Sequence, residues 1–289
     1  MIPASFDYHR PASVAEALSL VAKYGDEGRV VAGGHSLIPM MKLRMANPQH
    51  LIDLRDVAEL KAGIRDDGGT TLIGALVTQA ELIADESLAR ICPILRETAL
   101  QIADPQIRNC GTVGGNVANG DPGNDMPAVM MALDASFVVQ GPDGSEELCA
   151  KGFYQAAYFT ALGDGRILTA IRIPRPPTGH GSAYVKQKRK IGDYATAAAA
   201  VLLTRSGERC TFASIALTNV ADTPLYAEEA ARILVGSTLD AATIDRAVAA
   251  AEAITRPSSD GRGPARFRTK VAGQMVRRAI AIASERASG

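Results

Sequence analysis

The sequence has no net charge and no long apolar run. Lysine plus arginine and aspartate plus glutamate each number 31, so no overall field draws the chain to nucleic acid or to an anionic membrane. No segment approaches the roughly 18 uncharged apolar residues of a membrane-spanning helix, and the N-terminus lacks the features of a secretion signal. We therefore expect that the protein has no nucleic-acid partner and is not an integral membrane protein. We expect it to be cytoplasmic, either free or peripheral at the inner face of the membrane.

Residues that hold metals, attack substrates or line aromatic cavities are also scarce. The 4 cysteines include no C-x-x-C pair and the 4 histidines no H-E-x-x-H spacing, which argues against a metal or iron–sulfur site within this chain. Tryptophan is absent, aromatic residues make up 4% of the chain, and no G-x-S-x-G nucleophile motif occurs. The sequence predicts no catalytic side chain of its own.

What the chain does contain is the periodicity of a folded protein with both helices and strands. Its 289 residues, 47% of them hydrophobic, are enough for two or three compact units. In the first unit, 1–56, a capping box from Ser13 to Glu16 begins a helix that ends at Gly25. A short strand, a glycine turn, a helix over 37–44 and a second strand at 50–54 follow.

The pattern restarts in a second unit, 57–176, and ends at a proline-rich linker. Its predicted elements are a strand at 70–75, a capping box from Thr78 to Glu81, helices over 87–103 and 125–132, and strands at 136–140 and 166–173. The segment 174–181 then holds three prolines and two glycines, a composition that interrupts regular structure. It marks a domain boundary.

The remaining unit, 177–289, is predicted to place a sheet under helices. Three β-rich runs indicate a three-stranded antiparallel sheet, at 183–188, 195–204 and 210–220. Three amphipathic segments follow and indicate a helical bundle, at 227–235, 241–254 and 266–286.

Two glycine-rich segments point to phosphate binding. A diphosphate needs backbone N–H groups within about 3 Å of its oxygens, and glycine permits this because it has no Cβ and tolerates positive φ. Gly33 and Gly34 follow a strand and precede a helix, with Ser36 as an extra donor, and the segment 111–116 repeats this chemistry. A single Gly-Gly is more often a tight turn, but two such segments favour a site. Neither fits G-x-G-x-x-G or G-x-x-x-x-G-K-[ST], so a Rossmann site and a P-loop are disfavoured.

Turn formers and carboxylates follow the second segment, in the string NGDPGND at 119–125. Asn124 or Asp125 suits a helix N-cap. A carboxylate here is equally able to accept hydrogen bonds from the ribityl or ribose hydroxyls of a nucleotide cofactor. Both interpretations stay open at this point.

On these strings the chain resembles the flavoprotein subunits of the molybdenum hydroxylases, the group that includes xanthine dehydrogenase. The shared features are AGGHS at 32–36, QIRNCGTVGGN at 106–116 and the later Asp125. Further strings are similar to the medium subunits of the aerobic carbon monoxide dehydrogenases, and the resemblance covers nearly the whole chain; they lie at 5–11, 32–42, 103–109, 119–128 and 188–200.

The resemblance implies a fold class and a cofactor. The fold is α+β: a two-subdomain FAD-binding domain of the vanillyl-alcohol-oxidase (PCMH) type, followed by the C-terminal three-stranded antiparallel sheet with its helical bundle. The cofactor is FAD, bound non-covalently. Residues carried over to its site are Ala32, Gly33, Gly34, His35 and Ser36 for the first diphosphate loop, Gly111, Thr112, Val113, Gly114, Gly115 and Asn116 for the second, Asp125 as an acidic flavin contact, Leu168 as a backbone contact, Lys186, and Tyr194 beside the isoalloxazine ring.

Composition alone gives two of these residues a plainer interpretation. Lys186 reads as a solvated strand lysine, because lysine is rarely buried unpaired. Tyr194 reads as a half-buried strand tyrosine.

The resemblance also implies partners. A large subunit with a molybdenum cofactor and a small subunit with 2Fe–2S clusters would complete a dimer of heterotrimers, in which electrons pass through FAD to a quinone or another acceptor. Within the family, another large subunit would mean another substrate, such as an aromatic N-heterocycle, xanthine or a thioester. Outside it, the alternatives are a stand-alone flavin oxidase with His35 tethered to the flavin, or a structural subunit without cofactor.

Overall fold

The computed structural model describes residues 1–288. Its first unit is a three-stranded parallel sheet, ordered β1-β3-β2, with helices packed against it. Ser13 caps the first helix through the backbone N–H of Glu16, and Gly25 ends it at φ 47°, as the sequence predicts. The Glu16 carboxylate accepts the N–H of Ala12 instead of that of Ser13, so the predicted capping box is only half formed. The elements are β1 (Asp7–His9), α1 (Val14–Tyr24), β2 (Gly28–Val31), α2 (Leu37–Lys42) and β3 (His50–Asp53).

The second unit is a five-stranded antiparallel sheet covered by six short helices. The sheet order is β4-β5-β10-β6-β7, and a small hairpin of β8 and β9 lies apart from it. The strands are β4 (Ile64–Asp66), β5 (Thr70–Gly74), β6 (Ser136–Gly141), β7 (Gly144–Cys149), β8 (Tyr154–Ala156), β9 (Phe159–Thr160) and β10 (Ile167–Pro174). The helices are α3 (Gln79–Ala84), α4 (Glu86–Ile91), α5 (Pro93–Gln101), α6 (Pro105–Cys110), α7 (Val113–Ala118) and α8 (Met126–Ala132).

Two predictions for this unit are wrong. The single helix expected over 87–103 is two helices, because Pro93 starts α5 at its first turn and the residue before a proline avoids the α conformation. The second glycine segment is also not an open loop: residues 113–118 form α7, capped by the Thr112 side chain. The capping box from Thr78 to Glu81 is present as predicted.

The C-terminal unit is a sheet with helices on one face. The three predicted antiparallel strands are present, and a two-residue strand adds a fourth at the edge, in the order β11-β12-β13-β14. The elements are β11 (Gly181–Gln187), β12 (Ala197–Ser206), β13 (Arg209–Thr218), β14 (Leu225–Tyr226), α9 (Glu228–Leu234), α10 (Ala241–Ala253) and α11 (Ala265–Arg286).

Strand β12 joins the two main cores. Ala198, Ala200 and Leu202 pack with the helices of the second unit, whereas the alternate residues Ala199 and Val201 pack under α9–α11. Successive strand residues point to opposite faces, so a strand buried on both sides reads as a continuous apolar run. The run AAAAVLL therefore reflects a sheet held between the second unit and the C-terminal helices.

Each of the three larger sheets falls within one of the ranges 1–56, 57–176 and 177–289; the limits themselves stay a prediction. Among residues 1–288, no helix has both the length and the apolar character needed to cross a bilayer.

Candidate cofactor site

The first glycine segment leaves its backbone donors free. It connects β2 to α2, with Gly34 at φ 75°, a conformation that favours glycine. The N–H groups of residues 33–36 have no hydrogen-bond acceptor among residues 1–288. Ser36 stands at the N-cap of α2, yet its hydroxyl makes no capping bond. His35 is exposed. A row of unpaired amides next to a hydroxyl is suited to an anion.

The second glycine segment has its backbone donors in use. The N–H of Val113 donates to the Val77 carbonyl at 2.8 Å and that of Gly114 to the Ala75 carbonyl at 3.1 Å. Gly115 N–H donates to the Thr112 hydroxyl at 3.0 Å. A Cβ on Gly114 would lie 2.5 Å from the Ala75 oxygen, closer than real Cβ atoms come to backbone. Gly114 is thus required for α7 to pack on the end of β5.

The two segments meet. A Cβ on Gly33 would collide with the Cys110 carbonyl oxygen and lie 2.8 Å from the Cα of Gly111. Gly115 is exposed, and a Cβ there would lie 4.0 Å from that of Ala32. The absence of side chains at this junction leaves backbone accessible beside the free amides of residues 33–36. These residues fit a diphosphate group.

Asp125 and Lys186 form a buried ion pair. Lys186 Nζ donates to Asp125 Oδ2 at 2.8 Å, with side-chain exposures of 1% and 6%. The Tyr184 hydroxyl donates to Asp125 Oδ1 at 2.5 Å. Burial raises the pKa of Asp125, and Lys186 partly offsets that shift. Lys186 is therefore not a solvated lysine, and the pair links the N-terminus of α8 to β11 of the C-terminal sheet.

The ion pair bears on the predicted flavin contacts. Both carboxylate oxygens of Asp125 and the ammonium of Lys186 already have protein partners. Asp125 stands at the N-cap of α8 without a side-chain capping bond. Contact of either residue with FAD stays a prediction.

Leu168 lies in β10 close to the second segment. Its side chain is buried, and β10 is irregular between Leu168 and Ala170. The neighbouring Thr169 carbonyl accepts the N–H of Ala75, whose own carbonyl accepts from Gly114. The strand therefore supports the packing of α7, and a backbone contact from Leu168 to the cofactor stays a prediction.

Tyr194 lies in the loop between β11 and β12 and is 43% exposed. Its hydroxyl donates to Asp121 Oδ2 at 2.8 Å, and its ring lies against Gly123. Burial, followed by the charge of Asp121, raises the pKa of Tyr194. Its predicted place beside the isoalloxazine ring is untested by these contacts.

Sequence reasoning missed Asp121. This carboxylate is 8% exposed and also accepts the N–H of Gly123 at 2.8 Å. The string DPG indicates a turn, but the hydrogen-bond partner of Asp121 is Tyr194, which is distant in sequence. Close by, the side-chain amide nitrogen of Asn119 is buried with no acceptor among residues 1–288. Such a donor is usually satisfied by water or a ligand.

Metal ligands are not gathered anywhere in the described chain: residues 1–288 contain no group of three or more His, Cys, Asp or Glu side chains able to hold an ion. The organised features are instead the free amides, the glycine junction and the buried polar residues around them.

Two family models cover this arrangement. The FAD binding domain in molybdopterin dehydrogenase matches residues 4–176, and the CO dehydrogenase flavoprotein C-terminal domain matches residues 182–283. The chain belongs to the flavoprotein chains of the molybdopterin dehydrogenases. FAD is thus the cofactor of its first two units, in agreement with the fit of the glycine junction to a diphosphate.

Relatives of this flavoprotein family match over their full lengths. The carbon monoxide dehydrogenase medium chain of Afipia carboxidovorans is 62% identical, covering 99% of each chain, and that of Hydrogenophaga pseudoflava is 46% identical, covering 97% of each. A crystal structure of the Cu,Mo-CO dehydrogenase in its cyanide-inactivated form superimposes with a TM-score of 0.98 at 62% identity, covering 99% of this chain and 100% of that one. The predicted α+β fold class, family and cofactor are confirmed.

Proposed function

We propose that this chain is the medium, FAD-carrying chain of a carbon monoxide dehydrogenase that oxidises CO with water to CO2. The observation that carries the proposal is the identity of 62% over 99% of both chains with such a medium chain. Flavoprotein relatives with other named activities are less similar: a subunit of the 6-hydroxypseudooxynicotine dehydrogenase complex is 36% identical, and caffeine dehydrogenase subunit beta 32%. A substrate other than CO is therefore the second choice.

FAD, when bound, supplies electron transfer between one-electron carriers and a two-electron acceptor. The chain's own residues bind and orient it. The N–H groups of residues 33–36 and the Ser36 hydroxyl would face the diphosphate, and the bare backbone at Gly115 allows close approach. Tyr194 would lie beside the isoalloxazine ring, and Asp125, Lys186 and the backbone of Leu168 would be further contacts of the cofactor. No side chain here is assigned an acid, base or nucleophile role.

The proposed partners are a large chain with the molybdenum cofactor, which oxidises the substrate, and a small chain with 2Fe–2S clusters, which delivers the electrons. The assembly is a dimer of heterotrimers that passes electrons to a quinone, in the cytoplasm or at the inner face of the membrane.

The test is assembly with the large and small chains of the Afipia carboxidovorans enzyme in place of their own medium chain. We expect a complex with the absorption of flavin that reduces a quinone analogue with CO, because electrons from the large chain reach the acceptor through the FAD of this chain. A matched complex containing Gly34→Val should assemble without flavin. Failure to assemble, or assembly with full FAD but no CO-dependent turnover, would contradict the assignment to a carbon monoxide dehydrogenase, and a complex without flavin would contradict the cofactor role.

Acid precipitation separates bound from tethered flavin. Non-covalent FAD leaves a colourless pellet. Yellow colour retained in the pellet and lost in His35→Ala would instead support the stand-alone oxidase alternative.

A further inference from the structure

Asp121 joins two distant segments beside the proposed flavin position. It lies between α7 and α8 and is 8% exposed. Its Oδ1 accepts the N–H of Gly123 and its Oδ2 accepts the hydroxyl of Tyr194, both at 2.8 Å. A buried carboxylate with a donor on each oxygen is well satisfied and holds both donors in place.

The Tyr194 ring is restrained by more than its hydroxyl. A Cβ on Gly123 would lie 2.6 Å from the Cδ1 of Tyr194, so the ring occupies the space that any side chain at this glycine would need. The guanidinium of Arg262 lies 5.6 Å from the ring centroid, within the range of a cation–π contact. Arg262 also lies 3.7 Å from the carboxylate of Asp193 on the same loop.

A second tyrosine faces the same carboxylate. Tyr158, at φ 61°, donates its backbone N–H to the Gly120 carbonyl at 2.8 Å, which ties the β8–β9 turn to the loop that carries Asp121. Burial, followed by the charge of Asp121, raises the pKa of Tyr158. Both tyrosines are partly exposed, so this carboxylate organises an accessible aromatic surface.

We propose that Asp121 is a positioning residue: it holds the hydroxyl proton of Tyr194 in a hydrogen bond, so that this ring is a fixed wall of the flavin site and not a proton donor. The inference rests on the proposed function, because it assumes that Tyr194 lies beside the flavin. It assigns to the geometry of that site Asp121 and Gly123, two residues of the string NGDPGND that are not among the predicted cofactor contacts.

The variant that tests this is Asp121→Asn, which keeps the shape of the side chain and removes its charge. Without the carboxylate the Tyr194 phenol ionises at lower pH, and each unit of that shift raises its phenolate fraction about tenfold. Tetranitromethane nitrates phenolates, and peptide mass spectrometry measures each tyrosine separately. In the full complex at mildly alkaline pH, nitration of Tyr194 should rise in Asp121→Asn and stay at the wild-type rate in the exposed control Asp143→Asn.

A second readout is the pH profile of flavin reoxidation. Tyr194→Phe should keep the wild-type profile, because the ring remains and its proton is not used. Asp121→Asn should add a pH-dependent limb, since its tyrosine is free to titrate. A changed profile in Tyr194→Phe, or equal nitration of Tyr194 in Asp121→Asn and wild type, would overturn the proposal.

A measurement on the wild-type protein does not depend on whether Asp121→Asn folds. In the wild-type protein, Tyr194 should be nitrated far more slowly in the native complex than in urea. This should hold in FAD-loaded and FAD-depleted samples alike. Protection that disappears on FAD depletion would mean that flavin, not Asp121, shields the ring, which also overturns the proposal. A complex that never contains FAD would contradict the proposed function and leave the protection by Asp121 measurable.

Discussion

The two glycine segments of the cofactor site look alike in sequence and differ in structure. In the first, the N–H groups of residues 33–36 have no acceptor among residues 1–288. In the second, the N–H groups of residues 113–116 donate to Val77, Ala75 and Thr112. Gly114 of the second segment allows a helix to pack closely on a strand, whereas the first segment keeps the N–H groups of residues 33–36 free for a ligand. Glycine content alone does not separate these roles; the destination of each backbone N–H does.

The largest expected effect tests whether Asp125, which follows the second glycine segment, stabilises the fold as that segment does. Asp125→Ala leaves the ammonium of Lys186 buried without its partner and should lower the free energy of unfolding by about 3–5 kcal/mol. Asp245→Ala, which removes an exposed ion pair with Arg277, should cost less than about 1 kcal/mol. Urea denaturation measures both.

A double variant sharpens this result. Asp125→Leu with Lys186→Met replaces the pair by apolar side chains and should recover most of the lost stability. If the double variant is stable but loses FAD, the pair contacts the cofactor as well. A single Asp125→Ala variant as stable as wild type would mean that the ion pair does not hold the second unit and the C-terminal unit together.

The next effect separates the two glycine segments directly. Gly114→Ala places a Cβ against the Ala75 carbonyl and should cost about 3 kcal/mol, because backbone cannot move aside cheaply. Gly34→Ala meets only the flexible end of Ile38 and should cost about 1–2 kcal/mol for its left-handed conformation. FAD content, measured by absorption at equal folded fraction, should fall in Gly34→Ala.

If these outcomes were exchanged, the roles assigned to the two glycine segments would be wrong. A Gly114→Ala protein that folds with wild-type stability and loses only FAD would assign the ligand role to the second segment. Full FAD content in Gly34→Ala would remove it from the first.

The smallest effect uses two hydroxyls at equivalent helix ends. The Thr112 side chain accepts the N–H of Gly115, so Thr112→Ala should cost about 1 kcal/mol of stability. The Ser36 side chain makes no capping bond, so Ser36→Ala should leave stability unchanged and weaken FAD binding by about 0.5–1.5 kcal/mol. Thermal unfolding and FAD titration distinguish the two. Equal losses of stability in both variants would contradict the different roles.

Local patterns predicted much of this fold. The caps at Ser13 and Thr78 and the β-rich runs of the C-terminal strands depend on neighbours a few residues apart, and they appear where expected. The break at Pro93 was also local and was overlooked, because the apolar periodicity continues across it. The helix at 113–118 was not predictable from propensity: two glycines disfavour a helix, and the carbonyls of Ala75 and Val77 that anchor it come from a distant strand end.

The residues of the cofactor site divide in the same way, into those that the sequence indicates and those whose partners only the folded chain brings close. Resemblance named the glycine segments, Asp125, Lys186 and Tyr194, but it did not reveal that Asp125 and Lys186 bind each other. Asp121 escaped notice because its role depends on Tyr194, which only the folded chain brings close. Side-chain partners that join separate domains are set by tertiary packing, and one sequence does not encode them in any local pattern.

Amide hydrogen exchange, followed by mass spectrometry, in the FAD-loaded and FAD-depleted complex shows most directly which glycine segment binds the diphosphate. Free backbone N–H groups exchange quickly and hydrogen-bonded ones slowly. FAD should slow exchange at residues 33–36, whose amides are free, and change little at residues 113–116, whose amides already have acceptors. Protection gained at residues 113–116 with none at residues 33–36 would contradict the assignment of the first segment as the diphosphate site.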